Sequence, residues 1–474
     1  MKLKILSLAV ALVLGGCGLI PEYQRPQANI PATWPQGAAY ARPAQTDDAT
    51  ALGWRSVFLD PALKRLVELA LANNTDLRQA ALNVEAYRAL YRIQRAEQFP
   101  DVGLGAGGNR QRVPANLSPT GDAGIQSQYQ AALGVSYELD LFGRLRSLSQ
   151  AAVEQYLASD AARYSVQISL VADVATAYLA WRSDQEQLEL ARSTLKSQSA
   201  SLGLVENRFS NGAASQIDVR QARSLVSQAQ VQESLYTRRV AQDFNALERL
   251  IGGRIPADLP QGRTISEPML ARFPTGLSSE VLLRRPDIVA AEHQLLAANA
   301  NIGAARAAFF PSISLTGAAG TASIELGGLF SGGSGFWQFA PQINLPIFNA
   351  GRLRANLDHA SIRRDIHVAQ YEGSIQTAFR EISDGLAARG TYGRQLQAQQ
   401  LRVDDNQEYY RLAQQRYNEG VDSYLAVLDA QRELFSAQQQ LIQDRLGQWV
   451  SEVNLFKAIG GGWQANAEKT VVAN

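Results

Sequence analysis

The chain has 474 residues, of which 46% are hydrophobic and 19% are charged, and its formal net charge is +1. This composition allows a buried core, and the balanced charge argues against a general nucleic-acid binder. Cys17 is the only cysteine in the sequence, which excludes an internal disulfide and a metal site built from cysteines.

The N-terminus has the features of a bacterial export signal. Lys2 and Lys4 precede an apolar run that is too short to span a membrane as a mature helix. The run ends in Leu14-Gly15-Gly16-Cys17, which resembles a lipobox. We therefore predict that residues 1–16 are a signal peptide and that Cys17 is the lipid attachment site. An ordinary signal peptide followed by a chance cysteine is the alternative.

Residues 17–59 are rich in proline and small residues, so we predict a lipidated N-terminus and an extended strap with no fold of its own. Asp60-Pro61 is a helix-start signal, with an acid at the N-cap and proline at the first helical position. We expect a helix to about Leu71 and a second helix that ends before Pro100.

The periodicity then changes from helix to strand. Apolar and polar residues alternate through residues 128–140, which predicts a strand, and a weaker, glycine-rich strand is expected at about 101–112. Gly103 to Gly108 within that segment match the GxGxxG pattern of dinucleotide sites. The residues that follow do not begin a helix, so a strand is the better interpretation.

A long helix from Leu141 to Ser210, a tight turn and a second helix to Leu250 complete a first repeat, residues 60–253. A linker at 254–276 leads to a second repeat at 277–462, with strands at about 312–323 and 336–347, and residues 463–474 form a C-terminal tail.

The turns make the repetition explicit. Gly420 follows Gly212 by 208 positions, and both glycines suit a left-handed turn between helices. Ser215 and Asp218 predict a capping box after the first turn, and Asp422 is expected to cap the helix after the second.

Each predicted strand has one apolar and one polar face, as in a membrane β-barrel, but four strands are too few to close a single-chain barrel. The chain would therefore have to oligomerise, and the strand count leaves a dimer with eight strands and a trimer with twelve both open. A soluble helical bundle is the alternative for the helices alone.

The ordered motifs across nearly the whole chain resemble the TolC-like outer-membrane efflux protein family, in its lipoprotein branch typified by OprM. The motifs are the lipobox, Phe99-Pro100, the segments 138–144 and 303–311, and Arg284-Arg285-Pro286-Asp287-Ile288.

This resemblance implies an α+β membrane protein with a two-fold internal repeat, whose long helices form a coiled-coil α-barrel. The four strands of each chain would contribute to a trimeric 12-stranded transmembrane β-barrel. It implies a lipid-anchored homotrimer in the outer membrane that extends into the periplasm. Such a trimer passively conducts the substrates of a tripartite multidrug efflux pump. The implied partners are a periplasmic adaptor protein and an inner-membrane resistance-nodulation-division transporter. A duct for protein or peptide secretion and a lipid-anchored helical scaffold are the alternatives.

The resemblance also assigns roles to residues near the turns. Leu425, Asp429 and Arg432 match the family's periplasmic gate positions, and Gly212 and Gly420 lie in turns that correspond to its adaptor contacts. Asp429 and Arg432 share a helical face, since they are three residues apart. Ala426 replaces a second acid found in some relatives, which puts a second acidic ring in doubt. The sequence gives no reason to expect an enzyme, a cofactor or a metal site, because His293, His359 and His367 have no ligand spacing.

Overall fold

A computed structural model describes residues 18–27, 29–31, 33–40, 53–118, 121–273 and 279–462. The predicted signal peptide, Cys17 and the C-terminal tail lie outside these residues. The described chain divides into two compact units. The first takes in residues 18–27 with Asn83–Asp160 and Ala290–Glu372, and the second takes in the rest.

The secondary structure follows the predicted order of helices and strands, with short 3-10 turns in some of the connections. The helices are α1 Trp54–Val57, α2 Pro61–Asn73, α3 Thr75–Ala96, α4 Arg144–Ser210, α5 Gln216–Ile251, α6 Pro286–Ala307, α7 Arg352–Asn418 and α8 Tyr424–Ala458. The strands are β1 Asp101–Val113, β2 Gly124–Leu139, β3 Ser312–Ser323 and β4 Gly335–Asn344.

The internal repeat is visible in the helix lengths. Helices α4 and α7 each contain 67 residues, and α5 and α8 contain 36 and 35. An unbroken helix of that first length is about 100 Å long at the usual rise per residue. Of the helices in the described part of the chain, none combines the length and the hydropathy needed to cross a membrane.

The four strands form one antiparallel sheet in the order β1-β2-β3-β4. Within this sheet β1 pairs with β2 and β3 with β4, as predicted from the two halves, and β2 also pairs with β3. The two repeats therefore share a single sheet.

Two strand boundaries differ from the prediction. Strand β2 begins at Gly124, four residues before the predicted start, because the pairing with β1 continues up to Gly124 opposite Val113. Strand β4 ends at Asn344, which pairs with Ser312, the first residue of β3. Pro346 follows, and its missing amide hydrogen cannot extend the ladder.

The strap prediction was wrong at its end, where residues 54–57 form the short helix α1. Trp54 and Val57 are each only 1% exposed, and Phe58 forms an isolated bridge with Leu270. Burial of these apolar side chains in the second unit explains why this segment departs from the extended, proline-rich chain before it.

The start of α2 was predicted correctly. Asp60 is the N-cap, and its side chain accepts hydrogen bonds from the backbone N–H groups of Ala62 and Leu63 at 2.7 and 3.1 Å.

Helix α4 begins at Arg144, three residues later than the predicted start at Leu141. Gly143 adopts a left-handed φ of 75°, and the Asp140 carboxylate accepts from the N–H groups of Leu145 and Arg146.

Candidate functional site

The sheet has one apolar face that runs across all four strands. Residues that pair directly point to the same side of a sheet, so the observed register decides which side chains share a face. Leu104 pairs with Leu133, Leu133 with Ala319, and Ala319 with Trp337. The same face carries Val102, Val135, Tyr137, Ile313, Leu315, Phe339 and Ile343. Several of these side chains are exposed, including Leu104 and Trp337, at 82% and 80%.

The opposite face consists mostly of polar and small residues, and Phe336, which pairs with Gly320, is its one aromatic residue. Gly105, Ala132 and Gly320 follow one another across three strands, and glutamines flank them in β2 and β4. The GxGxxG segment is therefore part of strand β1, and no helix follows it in the way a dinucleotide site requires. A sheet with one exposed apolar face and one polar face is typical of strands that separate lipid from water.

The two helical turns have the same backbone geometry. Gly212 and Gly420 adopt φ values of 73° and 76°. The N–H of Gly212 bonds to the Phe209 carbonyl, and the N–H of the next residue bonds to the Arg208 carbonyl. The second turn repeats both bonds one repeat later. A Cβ at either glycine would have no heavy atom within 4 Å, so φ alone selects glycine there.

The caps after the turns differ. Ser215 and Asp218 form the predicted capping box in front of α5. The prediction that Asp422 caps α8 was wrong, because the N-cap is Ser423, which makes no side-chain cap bond. Asp422 instead forms an ion pair with Arg416 at 2.6 Å, across the turn. The hydrogen bond from Arg416 holds the pKa of Asp422 below its usual range.

A small hydrophobic core joins the two hairpins just beside the turns. It brings together one or more residues from each of the four long helices: Val205, Val219, Ala222, Leu225, Ala413, Tyr424, Val427, Leu428 and Ala430. Tyr424 packs its ring against Tyr417 with centroids 5.2 Å apart. Burial, followed by nearby tyrosines, raises the pKa of Tyr424 to about 12.

The three predicted gate residues lie on the face of α8 that points away from this core. Leu425 is 51% exposed, and the side chains of Asp429 and Arg432 are 44% and 60% exposed. Arg432 donates a hydrogen bond to the Asp429 carboxylate. The structure thus brings the two charged residues into contact, within one chain.

Sequence reasoning missed a contact between the two hairpins. The Arg208 guanidinium lies 4.5 Å from the centre of the Tyr417 ring, so the end of α4 rests on the end of α7. The face of α5 that corresponds to the gate positions carries no charge, since Ile217, Gln221 and Ser224 occupy it. The charged pair therefore belongs to the second repeat alone.

Comparison with known proteins decides the family. The model of the family described as outer membrane efflux protein matches residues 66–253 and 277–461. The chain belongs to the outer membrane efflux protein family. Both matched segments correspond closely to the two repeats seen in the sequence.

Relatives with similar sequences agree with this family. The chain is 63% identical to the toluene efflux pump outer membrane protein TtgF of Pseudomonas putida over 480 residues, covering all of both chains. It is 46% identical to the outer membrane protein OprJ of Pseudomonas aeruginosa, covering 96% of this chain and 95% of OprJ.

Solved structures show the same fold. The open state of the MtrE outer membrane channel of Neisseria gonorrhoeae superposes with a TM-score of 0.85 at 40% identity, over 95% of this chain and 99% of MtrE. The CmeC outer membrane channel of Campylobacter jejuni gives a TM-score of 0.85 at 27% identity, over 96% and 98%. This chain is thus an outer-membrane channel component of an efflux pump.

Proposed function

We propose that three copies of this chain form the exit duct of a tripartite efflux pump, and that its cargo includes aromatic solvents such as toluene. The observation that carries this proposal is the sheet, whose register places apolar side chains on one face and glycine, alanine and glutamine on the other. The cargo is inferred from the toluene efflux pump protein, with which the chain shares 63% identity.

The sheet favours a trimer on physical grounds. Strand β1 pairs only with β2, and β4 only with β3, so both edges of the described sheet have free backbone groups. Such edges are not tolerated in lipid, because each unpaired group there costs several kcal/mol. Pairing β1 of one copy with β4 of the next closes the sheet. A barrel of eight strands leaves an interior filled by side chains, whereas twelve leave more room for a lumen.

The hairpin turns would form the periplasmic mouth, with Leu425, Asp429 and Arg432 as its gate. Threefold symmetry would bring three copies of the exposed face of α8 together around the axis. A ring of three Asp429 carboxylates would attract cations at a narrow mouth. The contact between Arg432 and Asp429 supports this role, because it holds the carboxylate in a defined position.

The proposed duct would contact two partner proteins and the lipid of the outer membrane. The turns at Gly212 and Gly420 would contact a periplasmic adaptor protein, and a resistance-nodulation-division transporter in the inner membrane would supply the cargo. Acyl chains on Cys17 would add a lipid anchor to the barrel, because more than one acyl chain on a protein gives stable membrane attachment.

The test is solvent efflux in a strain that lacks this chain but retains its transporter and adaptor. We expect accumulation of radiolabelled toluene to fall when the wild-type chain is restored. Cys17→Ser should retain most of this activity if the barrel, and not the lipid, holds the protein in the membrane. No change in accumulation on restoring the wild-type chain would contradict the proposed cargo, and release of Cys17→Ser from the membrane fraction would favour the scaffold alternative.

A further inference from the structure

The charged residues of the four strands are distributed in an unusual way. The strands contain only four of them: Asp101, Arg110, Arg112 and Glu138. The two acids lie on the polar face, because Asp101 pairs with Ser136 and Glu138 is two residues further along β2. The two arginines lie on the apolar face, in the same row of β1 as Val102 and Leu104.

The arginines also lie at the other end of the sheet from the acids. Asp101 and Glu138 are at the strand ends that continue into α3 and α4. Arg110 and Arg112 approach Val113, where β1 enters the connection to β2. In an outer-membrane duct whose helices extend into the periplasm, this end of the strands faces the outer leaflet.

The positions of Arg110 and Arg112 along β1 fit the edge of a membrane. Arg110 and Arg112 follow Val102 by eight and ten residues in β1, which corresponds to about 26 and 33 Å along a strand. With the usual tilt of about 40°, these distances become roughly 20 and 25 Å across the membrane, and the apolar band of such barrels is about 25 Å tall. With Val102, the first apolar residue of β1, taken as the inner edge of the apolar band, Arg112 reaches the outer boundary. Arg110 then lies one step inside it, within reach of that boundary through its long side chain.

The neighbours of the arginines leave their charges uncompensated. Arg110 pairs across the strands with Ser127, and Arg112 with Ile125. Both arginines are exposed. Among the described residues no acid lies within ion-pair distance of either guanidinium. The Tyr129 ring covers Gly108 just below them, at the level where aromatic girdles lie in membrane barrels.

We propose that Arg110 and Arg112 bind the phosphate groups of a phosphorylated glycolipid in the outer leaflet. This inference rests on the proposed function, since it requires the apolar face to meet lipid. Guanidinium groups bind phosphate oxygens through paired, charge-assisted hydrogen bonds. Two arginines two residues apart on one face, above an apolar surface that accepts acyl chains, match both parts of such a lipid. A trimer would present three sites.

The test is native mass spectrometry of the full-length protein in mild detergent. The protein is titrated with a bisphosphorylated glucosamine-disaccharide lipid, with the same lipid after dephosphorylation, and with inorganic phosphate. We expect lipid adducts on the trimer that require the phosphates, and about thirtyfold weaker binding in the double variant R110Q/R112Q. R110K/R112K should retain part of the binding, because it keeps the charge but not the planar fork.

The matched control is R92Q/R95Q, which removes two exposed charges from α3 and should bind the lipid like the wild type. If the double variant does not assemble, R112Q alone serves in its place. Equal binding of both lipid forms, or equal binding by R110Q/R112Q and the wild type, would overturn the proposal. Displacement of the lipid by millimolar inorganic phosphate would show a free-phosphate site instead. Absence of a wild-type trimer in the same spectra would count against the proposed function. This outcome is distinct from a trimer that forms but binds no lipid, which would count against the lipid site alone.

Discussion

Arg432 and Asp429 contact each other within a single helix, three residues apart on the exposed face of α8. Such an exposed pair contributes only a few tenths of a kcal/mol to the stability of a helix. In the proposed gate the pair would act in conduction instead, by fixing the position of the Asp429 carboxylate at the mouth of the duct.

Removing either partner should change the channel more than the fold. In the proposed trimer Arg432 would pair with acids of the neighbouring hairpins and hold the mouth shut. We therefore expect Asp429→Ala and Arg432→Ala to increase single-channel conductance in planar bilayers, while the thermal midpoint shifts by no more than a degree or two. Arg223→Ala is the control, since Arg223 forms an exposed ion pair with Glu206 near the other turn. Unchanged conductance in both gate variants would remove these residues from the gate.

Stability should depend on pH through a carboxyl pair between α4 and α5. Burial, and then the neighbouring Asp184 carboxylate, raise the pKa of Asp243 to about 6, with Arg239 opposing the shift. Burial also raises the pKa of Asp184. The folded chain thus holds a proton more tightly than the unfolded chain, so this site lowers the free energy of unfolding as pH rises from about 4 to about 6.

Asp243→Asn should therefore stabilise the protein at pH 7.5 and leave it nearly unchanged at pH 4. Because Asp243 is only partly buried, solvent screening reduces the gain to about 1 kcal/mol. Thermal unfolding in detergent at both pH values measures this difference. A variant less stable than the wild type at pH 7.5 would show that the carboxylate contributes a favourable interaction instead.

Asp60 should be among the most sensitive positions for stability. It is fully buried, and its carboxylate also accepts from the Tyr178 hydroxyl at 2.9 Å and from the backbone N–H of Arg263 at 2.7 Å. Asp60→Ala leaves three buried donors and the partly buried N–H of Arg263 unpaired, so we expect a loss of about 3–5 kcal/mol. Tyr178→Phe removes the hydroxyl together with its hydrogen bond to Asp60, so it should lower the free energy of unfolding by only about 1 kcal/mol.

The thermal midpoint in detergent, measured alongside trimer content, reports both effects. Asp76→Ala is a suitable control, because Asp76 forms an exposed ion pair with Arg249. Loss of this ion pair should lower the free energy of unfolding by less than about 1 kcal/mol. An Asp60→Ala variant as stable as Asp76→Ala would contradict the structural role of this cap.

Gly320 is expected to be essential for the sheet. A Cβ at this position would lie 2.1 Å from the Ala131 carbonyl oxygen and 2.5 Å from the Ala132 Cα, which are backbone atoms that cannot move aside singly. Gly320→Ala should separate β2 from β3 and lower the yield of membrane-inserted protein. Gly105→Ala, on the same polar face and with no heavy atom within 4 Å, is the control. Equal membrane yields from both variants would refute this close approach.

Local signals in the sequence predicted most of the helices and strands. Asp60-Pro61, the Ser215–Asp218 box and the two turn glycines each specify their conformation through a few neighbouring residues, and the structure confirms them. Alternation likewise predicted the faces of the strands. The resemblance between the halves predicted the equal lengths of α4 and α7.

Features that depend on distant partners were not predictable in this way. Helix α1 forms because Trp54 and Val57 are buried, and the end of β4 is set by the start of β3. Asp422 has a good capping sequence, but Arg416 across the turn binds it instead. For the site, the sequence predicted the shared face of Asp429 and Arg432. Their contact, and the packing of Arg208 on Tyr417, required the fold.

The most direct test of the whole account is the oligomeric mass of the mature protein extracted from outer membranes in mild detergent. A trimer is the predicted result, because three four-stranded sheets would supply the twelve strands of the proposed barrel. A stable monomer would mean that the free edges of β1 and β4 stay unpaired, and it would contradict the proposal of a membrane duct.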